Sequence, residues 1–464
     1  MIRYTGHPFV DVGVSVIENY IEKPCEDLAG DDLEKAANWL RGIYSRKDMK
    51  GYLTVHFPNS GWCNATISDE NKDIYISKVL RSYTAEPLKP DRTCAFCEHP
   101  AQFLADRQHI PMLTGTTLLV TAPYGVVGLP VCGYCLYSVQ FYPLATLKVE
   151  GKPLFWWTPN PDMTFQLVRE MHSKVMQLLA GSTDKFPNLD WPRTRLLETA
   201  RKVVECYNEN ENLADCIGYH VTNYGSGPDF REYIVPKALL DFWQELRFAN
   251  KEVREAHAWI EESQWEKPKV RKANKTLESN DTGNLGNDSV GSRRNFYYEG
   301  LSRAFESKDW VHELRLIVSR YYVIFNKEHI NKNCYELAKL FLRKVGGMDK
   351  QRIDVIKNIA DQITNVLILG NNEKRWFTEL YMKEKRTGDF LKFLVKAQKR
   401  LSELGQPIAL EDVLIMLDLS STDDVGPKDT WLVRDLFLLR MLEHLGKNNQ
   451  EILKEVELET EEQA

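Results

Sequence analysis

The spacing of hydrophobic positions changes part-way along this chain. Up to about residue 260 the pattern is mixed. Short apolar or alternating runs predict strands at 52–57, 117–121, 126–129, 154–158 and 232–235. Helical spacing predicts helices over 32–46, over 163–180 through Val168, Met171, Val175 and Leu178, and over 236–260. In the last of these Pro236 suits a first turn, and Leu239, Phe242, Trp243 and Leu246 make the apolar side. Asp31 with Glu34 reads as a D-x-x-E cap of the helix at 32–46. The alternative, the aspartate pair of a two-metal site, needs a tight hairpin that this amphipathic run does not offer.

After residue 295 the period is helical throughout. Ile353, Ile356, Ile359, Ala360, Ile363 and Val366 form one stripe, stopped by Gly370. A helix at 389–404, followed by Gly405, places Leu391, Leu394, Val395 and Leu401 on one side. Lys392, Lys396, Lys399 and Arg400 fall on the other. A third helix at 431–445 carries Trp431, Leu432, Leu436, Leu439 and Leu442. Between the two regions, 267–291 is polar, with a glycine- and asparagine-rich core at 280–289, Lys267, Lys269, Arg271, Lys272 and Lys275 before that core and Arg293 and Arg294 after it. It reads as a solvated linker, or as a basic arm that orders on a nucleic-acid backbone.

Composition narrows the class. The chain has 464 residues, 43% apolar and 27% charged, with a net charge of −6. It can bury a sizeable core, and it is not a uniformly basic nucleic-acid coat. Charge is uneven: nine Lys/Arg face three Asp/Glu between Lys374 and Arg400, while residues 451–462 hold six glutamates and one lysine. Residues 1–20 lack the basic and apolar regions of a secretory signal. The uncharged stretch 109–147 is broken by Pro111, Pro123, Pro130 and Pro143, so it reads as buried soluble structure and not as a membrane helix. The expected location is the cytoplasm.

The chemistry lies in the cysteines. Of nine, Cys25, Cys63, Cys206, Cys216 and Cys334 are scattered and read as inert buried thiols. The other four form two pairs, Cys94-Ala-Phe-Cys97 and Cys132-Gly-Tyr-Cys135, separated by 34 residues. Two such turns supply four thiolates for a structural zinc ion, with Gly133 fitting the second turn. A redox C-x-x-C, an iron–sulfur cluster and chance pairing are the alternatives. Phosphate-loop, H-E-x-x-H, G-x-S-x-G and His-Asp motifs are all missing, so no enzyme is expected. The predicted class is α+β: a mixed N-terminal domain (1–265) with an inserted four-cysteine zinc site, a flexible basic loop (266–294), and an all-α C-terminal bundle (295–464).

The opening Thr5-Gly6-His7-Pro8-Phe9-Val10-Asp11-Val12-Gly13, with the two C-x-x-C pairs, resembles a family of CRISPR-associated proteins named for its cysteine motifs. That family is the large subunit of the type I-B Cascade surveillance complex. The helix after Cys135, the run Gly151-Lys152-Pro153-Leu154 and the loop Thr222-Asn223-Tyr224-Gly225-Ser226-Gly227-Pro228 are also similar, so the likeness covers roughly the first 245 residues.

The resemblance implies a non-catalytic subunit that recognises the protospacer-adjacent motif in double-stranded DNA, aids duplex opening and supports the R-loop. Base pairing with the guide then reads the sequence. Its implied partners are guide crRNA, target DNA, the backbone, handle-binding and small subunits, and a helicase-nuclease or transposition adaptor. It implies no membrane. The helical C-terminus would resemble the small subunit, and Met348 is a candidate internal start for a separate product. Asn223 and Ser226 are candidates for duplex reading. Lys269, Arg271, Lys272, Arg293, Arg294, Lys392, Lys396, Lys399 and Arg400 are candidates for backbone contacts. Two rival functions stay open: a metal-dependent nuclease whose carboxylates are dispersed in sequence, and a zinc-stabilised adaptor of another RNA–protein assembly.

Overall fold

The computed structural model describes residues 1–89, 92–113, 128–182, 184–206, 212–222, 228–266, 293–307, 313–315, 317–319, 334–383, 387–418, 429–448 and 451. The architecture is mixed α+β, with helices around small sheets. The chain divides into two compact units. The first comprises Met1–Leu240 with Glu266–Arg294, the second Asp241–Trp265 with Asn295–Ala464.

The first unit is built around helix α1 (Pro8–Ile21). Pro8 suits its first turn, and Val10, Val12, Val14, Val16 and Ile17 are all at most 1% exposed. Asp11, Ser15 and Glu18 of the same helix are buried as well, so α1 is enclosed by the core on all sides. The other helices of the unit are α2 (Gly30–Tyr44), α3 (Met49–His56), α4 (Asp69–Leu80), α5 (Gly133–Val139), α6 (Pro161–Ala180) and α7 (Pro192–Cys206). Against α1 pack α5 and α6 in particular. Asn160 caps α6 by accepting from the amides of Asp162 (3.0 Å) and Met163 (3.3 Å).

Two antiparallel sheets complete the unit. A short ribbon pairs β1 (Phe103–Ala105) with β2 (Leu129–Val131). A four-stranded meander runs β3 (Leu147–Val149), β4 (Lys152–Trp157), β5 (Cys216–Thr222), β6 (Asp229–Val235) in that order. Glu150 (φ 50°) and Gly151 (φ 82°) close the tight β3–β4 turn in the left-handed conformation such hairpins need.

Several local expectations need correction. Residues 52–57 were expected as a strand, but 52–56 belong to helix α3 and Phe57 is its C-cap. Tyr52 and His56, four apart, both point inward, and the Tyr52 hydroxyl donates to the carbonyls of Pro143 (2.6 Å) and Thr146 (2.6 Å). Tertiary packing there overrides β-type composition. The expected helix at 236–260 is two helices, α8 (Lys237–Phe248) and α9 (Lys251–Ser263). They are separated where Asn250 caps the second by accepting from Val253 N at 2.9 Å. The cap of α2 uses Asp32, which accepts from Ala29 N at 3.0 Å; Glu34 instead pairs with Arg81 at 2.7 Å. Cys206 is exposed and Cys63 only half-buried, unlike the buried thiols expected of them. The expected strand at 117–121 lies outside the described residues.

In the second unit the regular elements described are helices: α9, α10 (Phe296–Glu306), α11 (Cys334–Lys344), α12 (Lys350–Ile363), α13 (Arg375–Thr378), α14 (Thr387–Glu403), α15 (Leu410–Leu417) and α16 (Thr430–Asn448). The stripe from Ile353 to Val366 runs through α12 into a π-helical stretch, Thr364–Gly370. On α14 the buried side is Phe390, Phe393, Leu394, Ala397 and Leu401. Val395, expected among them, is 70% exposed.

Buried charge ties α16 and the residue before it to neighbouring helices. Arg440 grips Asp361 through two nitrogens (2.6 and 2.8 Å), and Arg352 holds Asp429 in the same two-pronged way (2.7 Å each). Glu443 is 1% exposed and accepts from Tyr335 N at 2.6 Å at the start of α11.

Burial lifts the Glu443 carboxyl to about 7, against the pull of the Tyr335 amide, Arg440 and Lys447; Glu336 adds a small upward push. A carboxyl raised on folding favours the fold while protonated. That contribution is full at low pH and is lost as pH climbs from the ordinary glutamate value through about 7. Glu443→Gln keeps the acceptor for Tyr335. It should therefore raise the melting temperature at pH 8.5, by at most about 3 kcal/mol of stability, and leave it unchanged near pH 5. Thermal unfolding of the full chain at both pH values checks this.

Candidate metal centre

Each cysteine pair comes from a separate arm. In the first, Cys94 N donates to His99 O (2.7 Å) and Glu98 N to Cys94 O (3.0 Å), with Glu98 in the left-handed conformation (φ 61°). The second pair opens α5: Cys132 is its N-cap and Cys135 lies in its first turn. Pairing of β1 with β2 brings the arms together, and Ala95 N reaches across to Pro130 O at 2.9 Å. All four sulfurs lie within 4.8 Å of one another, and Cys94, Cys97, Cys132 and Cys135 are at most 8% exposed. This arrangement is compatible with a single four-coordinate metal ion.

The surroundings suit thiolates. Backbone amides of Phe96 and Cys135 donate to the sulfurs of Cys94 and Cys132, each at 3.4 Å. Hydrogen bonds from Cys132 and Cys135 hold the Cys94 thiol well below its ordinary value, and one from Cys135 brings Cys97 down to about 6. Cys135, bonded to Cys132, Cys94 and Cys97, is pushed far up in consequence. Protons shared in this way are what a bound cation displaces.

The supporting shell explains the local sequence. Gly133 is required by close approach: a Cβ there would overlap the carbonyl oxygen of Ser82, whose hydroxyl donates to Gly133 O at 2.7 Å. Gly13 does the same for the crossing of α1 over α5, where a Cβ would overlap Ser138 O. Arg3 donates to the Cys97 carbonyl and lies 3.1 Å from His99 Nδ1. The His7 ring sits 4.3 Å from Phe96. Sequence spacing named the four cysteines but missed Arg3, Ser82 and His99. No short-range pattern connects them, although Arg3 lies two residues before the T-G-H-P-F motif.

The other candidates lie elsewhere. Asn223, Ser226, Lys269, Arg271 and Lys272 fall outside the described residues. Arg293 donates to Glu266 O at 2.8 Å, and its own carbonyl accepts from the buried Arg195; the Arg294 guanidinium lies 4.7 Å above the Trp191 ring. On α14, Lys392 pairs with Asp389 (3.4 Å), Lys396 with Glu379, and Arg400 with Glu373 and Glu403 (3.1 Å each). Lys399 is exposed and has no ion pair among the described residues. The lysine side of this helix is thus largely matched by carboxylates. No described helix is long and apolar enough to cross a membrane.

Elemental analysis of the purified chain should find one thiolate-seeking cation per molecule. Cys97→Ser should lower that stoichiometry and expose β1 and β2 to hydrogen exchange. Gly133→Ala should cost about 3 kcal/mol or more through overlap with Ser82, seen as a lower melting temperature.

Comparison with family models, with curated proteins and with solved structures finds no match for this chain.

Proposed function

We propose that this chain is the non-catalytic large subunit of an RNA-guided type I-B CRISPR surveillance complex. In it the chain recognises the protospacer-adjacent motif in double-stranded DNA, aids opening of the duplex and steadies the R-loop. It then recruits a separate helicase-nuclease or transposition machinery. One observation carries the reading: the two parts of the resemblance are a single packed module. His7 of the opening motif sets its ring 4.3 Å from that of Phe96 in the first cysteine pair, and Arg3, two residues before the motif, donates to the carbonyl of Cys97, 94 residues away.

In this reading the four cysteines hold a structural zinc ion. Thiolates about 2.3 Å from zinc in a tetrahedron stand roughly 3.8 Å apart, and the sulfurs of Cys97 and Cys132 stand 3.5 Å apart. Four thiolates leave zinc no open position, so its contribution is to hold the two arms in place. The region 295–464 acts as a helical bundle resembling the small subunit. Its α14 offers Lys392, Lys396, Lys399 and Arg400 to nucleic-acid phosphates, with Lys399 unencumbered by an ion pair among the described residues. Guide crRNA, target DNA and the other Cascade subunits are the partners, in the cytoplasm.

Expressed with its neighbouring genes, the tagged chain should copurify uniform repeat-spacer RNAs and several copies of a backbone subunit. Heterogeneous RNA, or none, from a folded metal-loaded protein sinks the reading. Within the complex, replacing Lys392, Lys396, Lys399 and Arg400 by alanine should weaken target binding regardless of sequence. It should also flatten the salt dependence by roughly one unit of slope for each phosphate that is no longer neutralised. Filter binding over a salt series checks both effects.

A further inference from the structure

Strand β6 is the outer strand of the meander, and no described strand pairs with its free side. On one face Tyr233 and Val235 are at most 1% exposed, with the guanidinium of Arg193 5.3 Å and that of Arg231 5.0 Å from the centre of the Tyr233 ring. Asp229 and Arg231, at the start of the strand, are exposed. The other face carries Phe230, Glu232 and Ile234. Phe230 is 54% and Ile234 51% exposed. Glu232 is exposed and has neither an ion pair nor a side-chain hydrogen bond among the described residues.

This face continues the core outward. Ring centroids step from Phe9 to Phe155 (5.5 Å), to Tyr219 (5.4 Å), to Phe230 (5.8 Å), so an aromatic row that begins under α1 ends in solvent. A seven-residue edge strand with two large apolar side chains in water is what proteins ordinarily blunt or cover.

We propose that the free edge of β6 docks an extended segment of a partner protein as a fifth strand. That segment carries a lysine or arginine flanked two residues away on each side by apolar residues. Added strands gain main-chain hydrogen bonds from the edge and specificity from alternate side chains. Opposite Phe230, Glu232 and Ile234, the matching order is apolar, basic, apolar, because cross-strand pairs favour opposite charge and apolar contact. The central carboxylate also selects against other occupants. A second copy, paired antiparallel about a two-fold axis so that Phe230 meets Ile234, sets the two Glu232 carboxylates face to face. A nucleic-acid backbone meets a negative charge at the middle of the site. The inference stands on the sheet edge and is independent of the surveillance-complex reading.

The test uses the full chain and a labelled heptapeptide, Thr-Val-Thr-Lys-Thr-Val-Thr, read by fluorescence anisotropy. The lysine peptide should bind about tenfold tighter than its glutamate-centred counterpart. Phe230→Asp should remove most of that binding. Glu232→Lys, a change at an exposed and unpaired position, should keep the wild-type melting temperature and reverse the preference. A version N-methylated at the edge-facing amides should not bind. Equal binding of both peptides, no binding of either, failure to reverse, or unimpaired binding of the methylated version overturns the proposal. So does sedimentation as a dimer that Phe230→Asp dissolves, since that assigns the edge to a second copy.

Discussion

The first unit depends on one buried carboxylate. Asp11, 4% exposed on the central helix, accepts from Thr5 N (2.7 Å), Thr5 Oγ1 (3.2 Å), Gly6 N (3.1 Å) and Trp157 Nε1 (3.0 Å). Burial raises its carboxyl above the ordinary aspartate value, while the hydrogen bonds pull the other way. A charge taken out of water needs such a set of donors, and each donor it recruits is thereby fixed. The amide donors fix the entry to α1. The indole fixes the end of β4 against that same helix.

From this anchor the chain preceding α1 is aimed at the cysteine arms. Gly6 takes a left-handed turn (φ 81°), and Arg3 reaches the Cys97 carbonyl. On the opposite side the second arm is pressed to the core, because Gly13 and Gly133 let backbone meet backbone at α1 and at Ser82. The four-cysteine cluster is thus held by packing from both arms and by main-chain geometry more than by side-chain reach. In the second unit the equivalent role falls to paired charges, Arg440 with Asp361 and Arg352 with Asp429, which lock α16 and the residue before it against α12.

Much of this was legible in the sequence wherever one local rule dominated. The amphipathic periods of α2, α6, α14 and α16 and the two C-x-x-C turns were readable because each needs only residues within a few turns of one another. Helix α1 left no such trace. Its Val10, Val12, Val14 and Val16 alternate as in a strand, which masks the helical spacing of its polar Asp11, Ser15 and Glu18, themselves buried in the fold. Residues 52–57 misled for the related reason that their β-type composition is decided by Pro143 and Thr146, some ninety positions on. On α14 the helical wheel placed Val395 inward, yet the packed side is centred on Phe390, Phe393 and Ala397, which rotates it out. Partners of this kind belong to the tertiary fold and have no spacing to read.

The separation of the cysteine arms has a consequence for how the molecule assembles. Cys97 and Cys132 are 35 residues apart, so the site exists only after the intervening chain has returned on itself. A cation bridging the arms would then join two stretches of chain that are distant in sequence. A cation that binds the four thiolates only in the folded chain adds its binding free energy to folding. Such an effect would follow the concentration of free cation, as that of a covalent cross-link does not.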